Sequence, residues 1–284
     1  MQSTLLKIKN SLAPLYSEGE IKNIIRIIFE NIINYSQVDI IMHHDEILSD
    51  FIKEKIDVVL NRLLNHEPIQ YIFNEAYFQG MILKVTTDTL IPRPETEELI
   101  DIIVDENKKS DLHILDIGTG SGAIAIALAK SLKFPIVDAI DISQKAVAVA
   151  QNNALSQRVK INFMVDDILS AHIPQNASYD IIVSNPPYIT MKEMNDMEKN
   201  VLQYEPHTAL FVPDSDPLLF YKAIVRYAKG ALLNGGRIYF EINSNFGKET
   251  ALLLANNNFC DINVIKDMYG LDRFVSAVKH FDNE

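Results

Sequence analysis

The stretch HILDIGTGSGAIAIALA, residues 113–129, has the pattern of a buried β-strand that turns through glycines into a helix. Gly118, Gly120 and Gly122 follow the apolar run HILDI, and a continuous run of small and branched apolar residues follows them. Glycines at such a turn let the chain bend tightly and let a ligand approach the main chain. The stretch therefore predicts the first strand and helix of an α/β sheet with a ligand site at the turn.

Strand and helix signals alternate after this stretch. Short apolar runs occur at IVDAIDI (136–142), KINFMVDDI (160–168), YDIIVSN (179–185) and GRIYFEI (236–242), with helical patterns between them. This alternation predicts a parallel sheet covered by helices on both faces. The last two runs, CDINVIKDM (260–268) and RFVSAVKH (273–280), are joined by only four residues, so we expect them to pair as an antiparallel hairpin.

The first 75 residues have a different pattern, which predicts a small helical bundle. Apolar side chains recur at helical spacing in IKNIIRIIFENIINY (21–35), and SDFIKEKIDVVLNRLLNHEP (49–68) repeats the pattern up to a proline. The stripe in the first segment is expected to be packing surface and consists of Ile21, Ile24, Ile25, Ile28 and Ile32. We predict a helical domain at 1–75, a β-hairpin connector at 76–92 and the α/β domain at 93–284.

Composition narrows the class of protein. The chain of 284 residues is 48% hydrophobic, carries one cysteine, Cys260, and has a formal net charge of −12. This predicts a cytoplasmic protein with a real core, no disulfide framework and no membrane span. The acidic balance disfavours stable nucleic-acid binding, because such affinity depends on Lys and Arg at the phosphates. No His, Cys and carboxylate spacing suggests a metal, and nothing requires more than a monomer.

The residues around the glycine turn indicate the kind of ligand. Their spacing is G-x-G-x-G, which differs from dinucleotide and P-loop motifs. Asp116 before the glycines suits a cation better than a pyrophosphate, and Asp141 after the second strand can accept from ribose hydroxyls. S-adenosylmethionine is a phosphate-free nucleoside with a positive charge and fits both acids. The loop residues predicted to contact it are Gly118, Thr119, Gly120, Ser121 and Gly122, and Asn185 after the fourth strand is predicted to contact it as well.

The third strand ends in Asp166 and Asp167, where the adenine of such a ligand would lie. We expect Asp167 and the backbone of Ile168 to contact the adenine. The alternative for the glycine turn and for these acids is a purely structural role without a ligand. The glycine turn can exist without a ligand, the acids can be solvated or cap a helix, and Ser143 can cap the helix after the second strand.

SNPPYI, residues 184–189, follows the fourth strand at the same predicted edge of the sheet. Two successive prolines cannot continue a sheet ladder, and they hold the preceding Asn185 extended. Asn185 Oδ1 and the Pro186 carbonyl can each accept one hydrogen of an –NH₂ group, and Tyr188 can stack on its plane. We therefore predict a clamp for a planar amide or aryl-amino group, made by Asn185, Pro186, Pro187 and Tyr188; a structural turn or a proline-rich ligand segment is the alternative.

These motifs together resemble the peptide chain release factor glutamine N5-methyltransferases. The resemblance is carried by EPIQYI (67–72), IPRPETEEL (91–99), LDIGTGSGAIAIALA (115–129), AIDIS (139–143) and VSNPPYI (183–189). YEPHTALF (204–211) and KDMYGLDRFVSA (266–277) extend it over most of residues 67–279. NPPY alone is less specific, because amino-methyltransferases acting on nucleic-acid bases carry related motifs.

The resemblance implies a seven-stranded Rossmann-like methyltransferase sheet behind an N-terminal helical domain. It implies methyl transfer from S-adenosylmethionine, giving S-adenosylhomocysteine, to the glutamine amide in the GGQ motif of release factors. It also implies that Asn185, Pro186, Pro187 and Tyr188 hold that amide. The chain departs from the family pattern at three places: Asn74 where glycine is usual, FEINSNFGKE (240–249) without a glycine after E-I, and Ile168 where an aromatic is frequent.

Two other functions stay open at this point. An N6-adenine or N2-guanine methyltransferase acting on DNA or RNA would also use an NPPY segment, although the net charge of −12 disfavours it. A non-catalytic cofactor-binding scaffold would keep the glycine loop, but it would not need an intact NPPY beside it. Residues 1–75 are expected to be the docking surface for the protein substrate.

Overall fold

A computed structural model describes residues 1–176 and 178–280 of the chain. The chain divides into two compact units. One unit contains Met1–Asn74 together with Glu198–Tyr204, and the other contains the rest of the described chain. The short returning segment 198–204 had no signal in the sequence that would assign it to the first unit. No helix in the described ranges has the length and apolar character needed to cross a membrane.

The first unit is built from five helices in its main segment. These are α1 (Gln2–Leu12), α2 (Glu18–Ile33), α3 (Gln37–Met42), α4 (Asp50–Leu64) and α5 (Ile69–Phe73). The predicted packing stripe on α2 is confirmed, since Ile21, Ile24, Ile25 and Ile28 are buried while Ile32 is half-buried. Asn74 ends α5 with a φ of 56°, a left-handed conformation that asparagine tolerates, so the missing glycine is replaced without disrupting the turn.

A hairpin and a helix begin the second unit. Strands β1 (Glu75–Phe78) and β2 (Met81–Lys84) pair antiparallel, and α6 (Pro94–Glu106) follows. Helix α6 starts with proline at its first turn, where no N–H partner is lost, and with Glu95 and Glu97 near its positive end. The buried side of α6 carries Thr96 together with Leu99, Ile100 and Ile103.

A seven-stranded sheet forms the centre of the second unit. Its parallel strands are β3 (His113–Ile117), β4 (Ile136–Asp141), β5 (Asn162–Val165), β6 (Tyr179–Ser184) and β9 (Leu232–Glu241). Strands β10 (Phe259–Lys266) and β11 (Asp272–Lys279) form the predicted hairpin, and β11 lies antiparallel between β10 and β9. The order is β10-β11-β9-β6-β3-β4-β5, which confirms the predicted fold class.

Both faces of the sheet are buried, which explains why its strands read as continuous apolar runs. On one face Ile181, Val183 and Tyr239 belong to a core that also includes side chains of α6 and α7 (Ala123–Ser131). On the other face Ile182 and Ile238 belong to a second core. That second core includes side chains of α10 (Leu219–Ala231) and α11 (Gly247–Ala255).

The remaining elements include two α-helices and a small strand pair. Helix α8 (Gln144–Ser156) follows β4, and α9 (Lys199–Tyr204) is the returning segment of the first unit. Strands β7 (Ile189–Thr190) and β8 (Phe211–Val212) pair in parallel, and a 3₁₀ helix at Met191–Asp196 follows β7. The elements of this insertion between β6 and α10 are too short to show a period, so no prediction was possible for them from the sequence.

Candidate active site

The predicted site residues lie where four neighbouring strands end. Strands β3, β4, β5 and β6 are parallel, so their carboxyl ends share one edge of the sheet. Ile117 and Ser184 are register partners on β3 and β6. The glycine loop and the NPPY segment therefore leave the sheet side by side. In open α/β sheets this edge is where ligands bind.

The three glycines of the loop have two different roles. All three have positive φ, +75° at Gly118, +55° at Gly120 and +83° at Gly122. A Cβ added at Gly118 or Gly120 would meet nothing within 4 Å, so the main chain is open to a ligand there. At Gly122 the same Cβ would lie 3.1 Å from Ala150 Cβ, so this glycine allows α7 to pack against α8. A cofactor contact at Gly122 stays a prediction.

Asp116 has a carboxyl oxygen without a partner. The residue is fully buried, and its Oδ2 accepts a hydrogen bond of 2.7 Å from Thr119 Oγ1. Its Oδ1 is buried and makes no hydrogen bond in the described chain, although the Ala125 N–H is near enough to the carboxyl to act against the rise in its pKa. Burial raises the pKa of Asp116 to about 7. A buried polar atom without a partner is costly, so this oxygen is suited to a positively charged donor such as an amino group.

Asp141 links the glycine loop to the end of β4. Its Oδ2 accepts from the Gly120 N–H at 2.8 Å, and its Oδ1 accepts from the Ser143 N–H at 2.9 Å. Burial raises the pKa of Asp141, while these two backbone donors act against that change. Ser143 caps α8 through its hydroxyl, as the alternative reading proposed, so the cap does not depend on Asp141. The predicted ribose contact stays a prediction.

The residues after β5 form a local turn. Asp167 Oδ1 accepts from the Leu169 N–H at 2.9 Å, and Asp166 Oδ1 accepts from the Asp167 N–H at 2.8 Å. Ile168 is only 8% exposed, and its side chain packs in the core that also contains Ile140. Its side chain is therefore part of the core, and the predicted adenine contact at Ile168 concerns the backbone.

The NPPY segment is fixed on both sides. Ser184 Oγ before it donates to the Ile117 carbonyl at 2.6 Å, which ties β6 to the end of β3. Pro186 is buried, while Asn185, Pro187 and Tyr188 are half-buried. The Tyr188 hydroxyl donates to Glu241 Oε1 at 3.1 Å, and burial raises the pKa of this tyrosine well above its usual range. Tyr188 is therefore held as a neutral phenol.

Two further acids near this edge were missed by the sequence analysis. Glu241 ends β9, is 2% exposed and also accepts from Thr96 Oγ1 at 2.7 Å. Glu205 is 4% exposed and accepts from Arg93 Nη2 at 2.6 Å and from the Ile91 N–H at 3.3 Å. The available signal for Glu241 was a carboxylate closing the buried run RIYFE, because such residues are rarely buried without a partner.

Arg93 lies between two prolines in the sequence, and its side chain forms an ion pair with Glu205. Its side chain keeps a third of its surface exposed, whereas that of Glu205 is 1% exposed.

Across residues 1–176 and 178–280, no group of three or more His, Cys, Asp or Glu side chains could hold a metal ion.

Comparison with known proteins identifies relatives along nearly the whole chain. A family model described as "PrmC N-terminal domain" matches residues 5–73, and one described as "Methyltransferase small domain" matches residues 96–205. A release factor glutamine methyltransferase of Bacteroides thetaiotaomicron is 44% identical over 95% of this chain and 97% of its own. One of Flavobacterium psychrophilum is 47% identical over 94% and 95%. A crystal structure of a Pyrococcus furiosus methyltransferase shares the fold, with a TM-score of 0.53, 15% identity and coverage of 78% of this chain and 98% of its own.

Proposed function

This chain belongs to the release factor glutamine methyltransferase family, and we propose that it methylates the side-chain amide nitrogen of the glutamine in the GGQ motif of release factors. One observation carries the proposal. The clamp segment at the end of β6 leaves the sheet beside the open glycine loop and the unpartnered Asp116 oxygen at the end of β3. A methyl acceptor and a cationic methyl donor would therefore meet at one edge.

The residues present fit S-adenosylmethionine. The buried Oδ1 of Asp116 would accept from its amino group, and the open side of Gly118 and Gly120 leaves room for it against the main chain. Asp141 would accept from the ribose hydroxyls, and Asp167 with the Ile168 backbone would contact the adenine. When bound, S-adenosylmethionine supplies an electrophilic methyl group on its sulfonium sulfur.

The clamp orients a poor nucleophile. The lone pair of an amide nitrogen is delocalised, which makes the nitrogen a weak nucleophile. Its alignment with the methyl group therefore matters more than its basicity. Asn185 Oδ1 and the Pro186 carbonyl would each accept one amide hydrogen, and Tyr188 would pack on the amide plane, its hydroxyl held by Glu241. Fixing the reacting groups in this way can lower a barrier by up to about 7–11 kcal/mol. We assign no general base, because the proton can leave to water after the methyl group is transferred.

Docking of the release factor is proposed for the N-terminal helical unit. That unit has an exposed apolar group on and after α3, with Ile47 88% exposed and Met42 73% exposed; its other members are Val38, Ile41 and Phe51. Single exposed apolar side chains are normal on a protein surface, but five this close in the sequence are a candidate interaction surface. Replacing Ile41 and Met42 with aspartate should raise KM for the release factor while kcat is kept. Leu155→Asp, at an apolar side chain exposed in the other unit, is the matched control.

The proposed cellular setting follows from the substrate. We propose that the protein acts in the cytoplasm as a monomer, with S-adenosylhomocysteine as product. The discriminating experiment incubates the protein with methyl-labelled S-adenosylmethionine and, in separate reactions, a release factor, duplex DNA or RNA. Label should appear in the release factor alone. Label in either nucleic acid would favour the base-methyltransferase alternative, and label in none would leave only a cofactor-binding scaffold.

A further inference from the structure

Two polar groups of Tyr188, its hydroxyl and its main-chain carbonyl, form hydrogen bonds with residues at and just after the end of β9. The hydroxyl donates to Glu241 Oε1 at 3.1 Å, and the main-chain carbonyl accepts from Asn243 Nδ2 at 3.2 Å. The side chain and the backbone of the same clamp residue are therefore fixed from one strand end. These two hydrogen bonds restrain the position of the ring.

Glu241 is an unusual residue for this position, because it is 2% exposed and a buried carboxyl group is costly. Its hydrogen bonds account for both oxygens: Oε1 accepts from Tyr188, and Oε2 accepts from Thr96 Oγ1 at 2.7 Å. Thr96 is itself 4% exposed in the first turn of α6. Because burying a carboxyl group is costly, its two hydrogen bonds to Tyr188 and Thr96 point to a role beyond filling space.

Asn243 extends the same arrangement to the segment after the clamp. Its Nδ2 also donates to both oxygens of Glu193, each at 3.1 Å. Glu193 accepts in turn from the Thr190 N–H and hydroxyl, each at 2.8 Å, and so caps the short 3₁₀ helix. Asn243 has a φ of −66°, so the backbone there does not require glycine. Its side chain instead contributes hydrogen bonds that a glycine would lack.

We propose that Thr96, Glu241 and Asn243, called here the Tyr188 brace, are positioning residues that set the orientation of Tyr188 for methyl transfer. The proposal rests on the proposed function, since it names residues that act on the clamp through Tyr188. Thr96 fixes the Glu241 carboxyl, Glu241 fixes the phenol hydroxyl, and Asn243 fixes the carbonyl.

Loss of one member should reduce turnover more than binding. A displacement of about 1 Å at reacting groups can cost roughly a hundredfold in rate. Thr96→Val removes one donor to Glu241 at nearly constant volume, so we expect kcat to fall roughly tenfold or more. The dissociation constant for S-adenosylmethionine should stay within about twofold, because most of the proposed cofactor contacts lie at the ends of β3, β4 and β5.

Thr250→Val is a matched control for that variant. Thr250 is fully buried, and its Oγ1 donates to the Phe246 carbonyl at 2.8 Å rather than to Tyr188 or to a brace residue. Both substitutions remove one hydroxyl and one hydrogen bond from a buried threonine of the same unit. If the brace only stabilises the fold, both variants should lower the melting temperature and leave kcat similarly intact. That result would overturn the proposal.

A second readout does not depend on activity. The protein is labelled with 3-fluorotyrosine, and Tyr188→Phe assigns the ¹⁹F resonance of Tyr188. We expect this resonance to move in Thr96→Val and Asn243→Ala but to stay in place in Thr250→Val. An unchanged Tyr188 resonance in both brace variants would contradict the proposal, whatever their activity.

Combining Thr96→Val with Tyr188→Phe tests whether Thr96 affects kcat through Tyr188 or by another route. In a Tyr188→Phe background the hydroxyl that Glu241 holds is gone, so Thr96→Val should then reduce kcat by less than about twofold. An undiminished tenfold loss in that background would show that Thr96 acts by another route and would overturn the proposal. If the parent protein transfers no methyl group to a release factor, the proposed function fails, while the ¹⁹F comparison still decides whether the brace orients Tyr188.

Discussion

Replacing Asp116 with asparagine tests the cofactor assignment through its dependence on pH. The substitution keeps the shape of the side chain and an acceptor for the Thr119 hydroxyl, which donates to Asp116 Oδ2 at 2.7 Å. It removes the ionisable group whose other oxygen is buried without a partner. If that oxygen receives a positively charged amino group, binding requires the carboxylate, and the neutral variant should lose both affinity and pH dependence.

The size of the expected change in affinity follows from the pKa of Asp116, which burial raises from 3.8 to about 7. The ionised fraction of Asp116 grows from about one in a hundred at pH 5 to about one half at pH 7. Affinity for S-adenosylmethionine should therefore rise about fiftyfold over this range, below the usual pKa of an α-amino group. The free energy of unfolding changes in the opposite direction and falls as the pH rises, because the folded state binds more protons than the unfolded state. Without cofactor, the free energy of unfolding should fall by roughly 2–3 kcal/mol between pH 5 and pH 8.

Calorimetric titration with S-adenosylmethionine at pH 5, 6 and 7 measures the first effect, and urea unfolding at pH 5 and 8 measures the second. Asp141 has a raised pKa too, but it is present in both proteins, so the difference between parent and Asp116→Asn isolates Asp116. The variant should show a nearly flat affinity over this range and a flatter stability curve. Equal pH slopes for parent and variant would refute the assignment of Asp116 to the amino group.

Three further predictions concern other parts of the edge. Asp141→Ala should weaken S-adenosylmethionine binding about ten- to a hundredfold, from the loss of a charged acceptor worth roughly 1.5–3 kcal/mol, and an unchanged dissociation constant would place the ribose elsewhere. Asn185→Ala should bind the cofactor nearly as well as the parent in calorimetry, yet turn over about two orders of magnitude more slowly; parental turnover would exclude the clamp. Gly122→Ala should lower the free energy of unfolding by about 1–3 kcal/mol, because its Cβ would lie 3.1 Å from Ala150 at a φ of +83°. A variant as stable as the parent in urea would show that the two helices can separate.

The architecture of the central sheet was predictable because each of its strands has a local signal. The apolar runs that end in Asp116, Asp141 and Asn185 are long enough to read as strands, and the turns after them carry glycine or proline. The seven-stranded order and the antiparallel β11 follow from the resemblance and from a joining segment too short for a helix. Parallel strands also determine that these residues meet at one edge.

The remaining parts depend on contacts between distant residues. Glu241 and Thr96 are 145 positions apart, and Glu205 and Arg93 are 112 apart, so no window of sequence shows either pair. Gly122 could not be distinguished from Gly118 and Gly120 by spacing, because its role depends on Ala150 of another helix. Tyr188 was predicted as a stacking surface, but the partner of its hydroxyl is visible only when β9 is placed beside β6.

The central claim is that one edge of the sheet brings a glutamine amide to S-adenosylmethionine. The most direct measurement is fragment mass spectrometry of a release factor after incubation with the protein and S-adenosylmethionine. Parent protein should add one methyl group to the glutamine of the GGQ motif, and Asn185→Ala should add almost none in the same time. A methyl group on any other residue, or equal methylation by the two proteins, would contradict the account.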